Sequence, residues 1–445
     1  MIASPAKSAK HRATEIEAAY RVHPGVYLIG SLERGVTVYN QQVRAHNLAW
    51  ALWELQRNGE RQLGRVAIIG GGVTGLTIAA CLLCLFDEAV TIVLFEQRWD
   101  LCALQQGSDT RWLHPKIYSW PAEGSRAPSA SLPVLDWSEG RASDVARTIL
   151  REFSEYSRAF ANPQQRLSVY LGLRHFQIDV QTREISWVAH KAIQTGAFFH
   201  LDRPAGATEG FDTIVLATGF GLETSSPEYP TESYWRNEQL AQPKLDGSQK
   251  SYFISGFGDG ALVDLCRLTI ERFRQDTIVY ELFQDNLENI ETDFRRELAK
   301  LERDANVFLL LQAFENGLLR EAKEHLQLRI RKDTRVALHL LGRNNEVKTF
   351  SQIFDRHSSF LHRLLTYMLY RCGAIALDFS QLAEAVARHN IEPANVLCRY
   401  GADTMKHLRA LFIDPTLVTA RFDEMKTKQE QVATRLWAPG TFPII

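Results

Sequence analysis

The residues best suited to chemistry in this chain are glycines. Gly70-Gly71-Gly72-Val73-Thr74-Gly75 places glycine at the first, third and sixth positions of a GxGxxG pattern. It follows the apolar run Val66-Ala67-Ile68-Ile69 and precedes the apolar run Leu76 to Phe86. A strand that turns at glycines into a helix is the local structure that cradles a pyrophosphate. Gly70 permits the tight turn, Gly72 lets the backbone approach the phosphates, and Gly75 lets the helix sit close to the strand. The helix N-terminus then offers unpaired N–H groups and a partial positive charge to the anion. Glu96 lies 21 residues after Gly75, at the end of a second apolar run, Val90 to Phe95. Its carboxylate is placed to accept hydrogen bonds from an adenosine ribose. Val73 and Thr74 in the turn, and Gln97 beside Glu96, complete this candidate cofactor set.

Two further glycine steps belong with the first. Ala217-Thr218-Gly219 closes the apolar run FDTIVLATG, a buried strand stopped by small residues where another group must approach closely. Thr218 and Gly219 join the cofactor set on that ground. Gly256-Phe257-Gly258-Asp259-Gly260-Ala261 follows the strand-like SYFIS and precedes a helical pattern over 262–273. It carries two readings. As GxGxxA it is a second dinucleotide fingerprint, for NAD(P). As Gly258-Asp259 it is a Gly-Asp step whose carboxylate accepts a hydrogen bond from a flavin ribityl hydroxyl. Asp259 would repel a phosphate, and no unmistakable Gly-Asp step occurs later, which favours the flavin. Gly256, Gly258, Asp259 and Gly260 are therefore counted as cofactor-binding.

The segment Gln105 to Pro121 has neither helical nor strand period and concentrates aromatic, basic and hydroxyl groups. Arg111 is a candidate to stabilise negative charge on a reduced cofactor. His114 is a candidate acid or base near neutral pH, and Tyr118 completes the candidate catalytic set. Trp112, Tyr118 and Trp120 offer faces for stacking. His357 and His362, five apart with no acidic partner at metal spacing, read as satisfied or exposed histidines, and no metal site is expected. Nor is there a GxSxG, a P-loop or an HExxH.

GGGVTG with Glu96, ATGFG at 217–221 and GFGDGA at 256–261, in this order, resemble the FAD-dependent two-dinucleotide-binding oxidoreductases. Their order and spacing look like those of the flavin-containing, N-hydroxylating and Baeyer–Villiger monooxygenases. The resemblance implies that Gly70, Gly72, Gly75 and Glu96 hold FAD. It implies that the ATG strand lies where flavin and nicotinamide domains join, and that Gly256, Gly258 and Ala261 bind NADPH or NADH. On the same resemblance, Arg343 after RVALHLL would meet a 2′-phosphate. Asp259 and Gly260 depart from the family's usual second fingerprint.

Several elements must position these residues. The pattern around the first turn reads strand, glycine turn, helix, strand, a βαβ unit. Short strand-like runs over 167–201 read as an antiparallel meander. The expected fold is α/β: a Rossmann-type FAD-binding fold with an inserted β-meander and a largely helical C-terminal region. The expected domains are an extension over 1–64, an FAD-binding domain over 65–260 with its insert at about 165–210, and a mainly helical region over 261–445. That last region has room for a degenerate NAD(P)-binding domain. No internal repeat is evident.

Composition bounds the function. The chain has 445 residues, with 51 Lys+Arg against 52 Asp+Glu. That balance removes the basic surplus a nucleic-acid partner calls for. Six scattered cysteines do not make a disulfide framework, and a reducing cytoplasm fits them. Cys81 and Cys84 lie in an apolar run and read as core. Val66 to Phe86 lacks charge but reads as a buried strand and helix, and neither a membrane span nor a signal peptide is expected. The function expected is an FAD-dependent oxidoreductase: an NAD(P)H-dependent flavin monooxygenase or reductase on a small molecule. The alternatives are an FAD-dependent oxidase or dehydrogenase, for example of an amine, without a nicotinamide site, or a flavin-binding sensor or interaction protein. A homo-oligomer is compatible with each.

Overall fold

Short unbroken apolar runs flanked by helices build parallel strands buried on both faces, and two such sheets organise this chain. The computed structural model describes residues 9–428 and 442. It leaves out 34, 87, 89, 161–165, 197, 220, 224–227, 230–231, 302–304, 342–346 and 356–357. Arg343 and His357 lie outside the described residues. Two compact units form: Met1–Leu113 with Ser129–Gly221 and Asp403–Ile445, and His114–Pro128 with Leu222–Ala402.

The first unit opens with α1 (Ala9–Tyr20), β1 (Arg21–His23), β2 (Val26–Leu28), α2 (Val38–Arg57), β3 (Arg65–Ile69), α3 (Val73–Leu85) and β4 (Thr91–Phe95). It continues with α4 (Ala103–Gln106), β5 (Trp112–Leu113), β6 (Gly140–Arg141) and α5 (Ala142–Phe160). Then come β7 (Leu167–Asp179), β8 (Glu184–Thr195), β9 (Phe198–Gly210) and β10 (Thr213–Leu216). Eight strands share one sheet in the order β1-β2-β10-β3-β4-β7-β8-β9. Strands β2, β10, β3, β4 and β7 run parallel, while β7, β8 and β9 form an antiparallel meander. Every residue of α3 is buried, which explains the uncharged run. Cys81 and Cys84 are free thiols in that buried helix. No described helix is long and apolar enough to cross a membrane.

Several expectations change here. The runs LSVYLGL and FQIDV are one strand, β7, with an irregularity between Leu171 and His175 rather than a turn. The described part of the 1–64 segment is not an appendage, because β2 pairs in parallel with β10 and Ile29 N–H donates to Leu216 O at 3.0 Å. The chain also returns to this unit after 402. Ile178 N–H donates to Leu411 O (2.8 Å) and Ile413 N–H to Ile178 O (3.0 Å). Leu408, Phe412, Val418 and Phe422 then bury themselves with Ile178, Ile185 and Trp187. The boundaries expected at 64 and 260 do not coincide with the boundaries of the compact units.

The second unit is rich in helices, and the C-terminal region also supplies three strands of a parallel sheet. It contains β11 (Lys250–Ser255), α6 (Asp259–Thr269) and helices α7 to α10 (Ile278–Phe283, Leu287–Leu298, Phe308–Phe314, Arg320–Leu328). Next follow β12 (Thr334–His339), α11 (Phe360–Arg371), β13 (Ile375–Asp378), α12 (Leu382–Arg388) and β14 (Val396–Cys398). Its four strands are all parallel, in the order β13-β12-β11-β14. Helix α6 begins at Asp259, three residues before the sequence pattern suggests. That puts Asp259 inside the first turn of the helix.

Two polar clusters, each centred on a buried carboxylate, hold this unit. Asp264 on α6 accepts from Arg399 Nε at 2.8 Å, and Arg267 Nη1 lies 3.4 Å from its other oxygen. Glu315 accepts from Arg371 Nε (2.8 Å), Lys323 Nζ (3.1 Å) and the Tyr367 hydroxyl (2.9 Å). Burial alone would raise the Glu315 pKa. The Arg371, Lys323 and Tyr367 hydrogen bonds outweigh it and bring the carboxyl down to about 2. A depressed folded-state pKa stabilises above the ordinary carboxylate value of 4.5 and ceases to do so as pH falls towards 2. The contribution is about 3 kcal/mol at neutral pH. Denaturant unfolding at pH 6 and at pH 2.5 is therefore expected to show a smaller acid loss in Glu315→Gln than in the native chain. Equal losses would contradict the assignment.

Candidate functional site

The first glycine turn is built by steric exclusion. Gly70 ends β3 with φ +116°. A Cβ there would lie 2.4 Å from the carbonyl oxygen of Ala217, at the end of the neighbouring parallel strand β10. Gly70 N–H donates to Phe95 O at 2.7 Å, which ties the turn to the end of β4. A Cβ on Gly75 would lie 1.8 Å from Gly70 O, so the first turn of α3 sits directly on the glycine loop. Gly72 is different: nothing described lies within 4 Å of where its Cβ would be. It is the N-cap of α3, in extended conformation, and no side chain caps the helix. An uncapped helix end beside open space has the donors and the dipole that suit an anion.

Glu96 is buried directly beside this turn. Its Oε2 accepts from Gly71 N–H at 2.6 Å and its Oε1 from Arg98 N–H at 2.7 Å. A carboxylate has about four acceptor positions, so each oxygen keeps capacity for a hydroxyl donor. Gln97 is exposed, and Thr218 and Gly219 are half-buried just past β10, Gly219 at φ +63°. Thr218 Cα lies 3.2 Å from the position of a Gly70 Cβ. The structure thus brings Gly70, Gly72, Val73, Thr74, Gly75, Glu96, Thr218 and Gly219 around one turn. After Glu96 the chain folds back, with Cys102 N–H donating to Gly71 O at 2.9 Å. A few residues on, Ser108 Oγ is buried without a hydrogen-bond partner among the described residues.

The second glycine turn has the same construction. Gly256 takes φ +134°, and its Cβ would lie 2.4 Å from Arg399 O, just past β14. Its N–H donates to His339 O at 3.1 Å, at the end of β12. Gly258 is the uncapped, extended N-cap of α6, again with open space where a Cβ would be. By hydrogen-bond register, Gly256 corresponds to Gly70, Gly258 to Gly72 and His339 to Phe95. Asp259 then stands where the first turn has Val73, and Leu340 stands where it has Glu96.

Asp259 does not stand alone. Its Oδ1 lies 2.6 Å from His362 Nδ1 and accepts from Ser359 N–H at 2.9 Å. Burial would raise the Asp259 pKa. The His362 hydrogen bond, the charge His362 carries when protonated and the Ser359 bonds outweigh it and hold the carboxyl below its usual range. Sequence reasoning missed this partnership. Ser359 is the N-cap of α11 and accepts from His362 N–H, so the helix starts at Phe360. The Ser-Ser step before Phe360 was the available cap signal.

The loop residues divide between the units. Arg111 is buried in the first unit, where its carbonyl accepts from Ala142 N–H at 2.8 Å. His114 and Tyr118 belong to the second. His114 Nδ1 accepts from Lys116 N–H (3.1 Å) and Ile117 N–H (3.0 Å), so that nitrogen does not serve as an acid or base. Burial lowers the His114 pKa, helped by Lys116 and opposed by Asp276 and the Arg126 carbonyl. Tyr118 meets His362 edge-on, ring centroids 5.4 Å apart. Trp120 is not a stacking surface: it is buried against Phe283, Phe294 and Phe360, and donates to Glu291 at 2.7 Å.

No family model matches this chain, and no curated protein matches it. Among solved structures it is similar to a polycyclic ketone monooxygenase from the thermophilic fungus Thermothelomyces thermophila. The identity is 12%, over 83% of this chain and 67% of that one, with a TM-score of 0.28. That score does not establish a shared fold.

Proposed function

We propose that this chain is an FAD-dependent oxidoreductase whose first unit holds the cofactor in a Rossmann-type fold. The observation that carries the reading is the contrast among three glycines of one turn. Gly70 and Gly75 exclude any side chain because backbone already fills the space, while Gly72 has open space beside an uncapped helix end. A glycine kept where nothing in the protein crowds it fits a ligand that approaches the backbone. The backbone amides at the start of α3 would meet the pyrophosphate, and Glu96 the adenosine ribose. The sheet order supports this, because β3 and β10 lie side by side where the strand order reverses, the place ligands occupy in open α/β sheets. A bound FAD would supply two-electron chemistry; the protein supplies binding, orientation and electrostatics.

The test is direct. Purified protein, reconstituted with FAD and desalted, is expected to retain the flavin, and Glu96→Ala to bind it about tenfold to a hundredfold more weakly. Native protein that retains none would overturn the reading. An NAD(P)H-dependent monooxygenase and a substrate-reduced oxidase both fit the first unit. They differ in whether the second glycine turn takes a dinucleotide.

A further inference from the structure

The second turn repeats the first in backbone but not in chemistry. In the first unit the residues that open the helix, Val73 and Thr74, are uncharged. In the second unit the residue that opens α6 is Asp259, with its side chain 40% exposed. A dinucleotide pyrophosphate would have to lie on the amides that follow Gly258, beside this carboxylate. The side chain is held in place, because the N-terminus of α11 grips it through Ser359 N–H and His362 Nδ1. Both of these bonds fall on Oδ1. The carboxylate therefore already supplies an anion where the starts of two helices meet. The second difference points the same way. Leu340, buried, replaces the carboxylate that Glu96 offers in the first unit, so that position offers no acceptor for ribose hydroxyls.

We propose that the second glycine turn is closed to nicotinamide dinucleotides, with Asp259 as the excluding residue. On the flavin reading of the first unit, on which this consequence alone rests, NAD(P)H then does not reduce the flavin from this turn. Asp259 also suits the N-terminus of a helix for stability, so the test must read binding and not folding alone.

The full chain is titrated with NADH and with NADPH by calorimetry, as native protein, Asp259→Asn and Asp259→Ser. Asparagine keeps the shape without the charge, and serine keeps a good helix start. Native protein is expected to show no saturable binding up to about 1 mM. Each variant is expected to gain saturable binding at least about tenfold tighter than that limit. Saturable binding to native protein well below that limit would overturn the proposal. So would variants that keep the native circular dichroism yet gain no binding. Flavin content, read by absorbance on the same samples, separates the two claims. A colourless protein counts against the flavin reading and leaves the dinucleotide titration interpretable.

Discussion

Gly75→Ala is expected to destabilise the first unit by about 3 kcal/mol or more, at or above the upper end for overpacking. The added methyl carbon would lie 1.8 Å from Gly70 O. That oxygen belongs to the backbone of a turn whose own N–H is tied to Phe95 O, so it cannot swing aside as a flexible side chain would. Relief requires α3 to lift away from β3, and α3 is buried along its whole length. Gly70→Ala combines a left-handed φ with a 2.4 Å contact to Ala217 O and is expected to behave similarly. Urea unfolding followed by tryptophan fluorescence measures both. A midpoint equal to that of the native chain would contradict the described packing.

Asp264→Ala is expected to cost about 1.5–3 kcal/mol, the range for hydrogen bonds to charged groups in a buried site. Asp264 is fully buried between two cations, Arg399 and Arg267, whose side chains are themselves buried. Glu238 still pairs with Arg267 and Glu223 lies 3.6 Å from Arg399, so each arginine keeps one carboxylate. What disappears is the charge that joins α6 to the end of β14. The loss also reaches the second glycine turn, because Arg399 O is the atom that packs against Gly256. The same unfolding experiment reads it, and a loss under about 1 kcal/mol would place this pair with exposed surface bridges instead.

Each glycine turn was legible in the sequence because every part of it is local. Apolar run, glycines, apolar helix and second strand occupy about thirty consecutive residues around Gly70. The sixty-odd residues between α6 and β12, which carry helices α7 to α10, separate β11 from its neighbour and hid the sheet as a unit, although RVALHLL and Val396 to Arg399 each read as a strand. β13 has four residues and β14 three. The return of Leu408 to Phe422 to the first unit carried no motif, because an apolar face on a helix does not state what covers it. His362, read as satisfied or exposed, is buried beside Asp259, which lies 103 residues away, beyond any spacing argument. His114 and Trp120 show the opposite failure. Their types suggested chemistry, while the fold uses them to hold a loop and fill a core.

Binding of FAD by native protein and by Gly72→Ala, each measured by flavin fluorescence beside a thermal melt, decides whether the first glycine turn is the flavin site. Open space at Gly72 predicts that the variant melts within a degree or two of the native chain, since about 0.5 kcal/mol or less is at stake at an uncrowded position. The same variant is expected to bind FAD at least about tenfold more weakly, because its methyl group enters the path of the phosphates. Equal FAD affinity in the two proteins would contradict the assignment of the first turn as the flavin site.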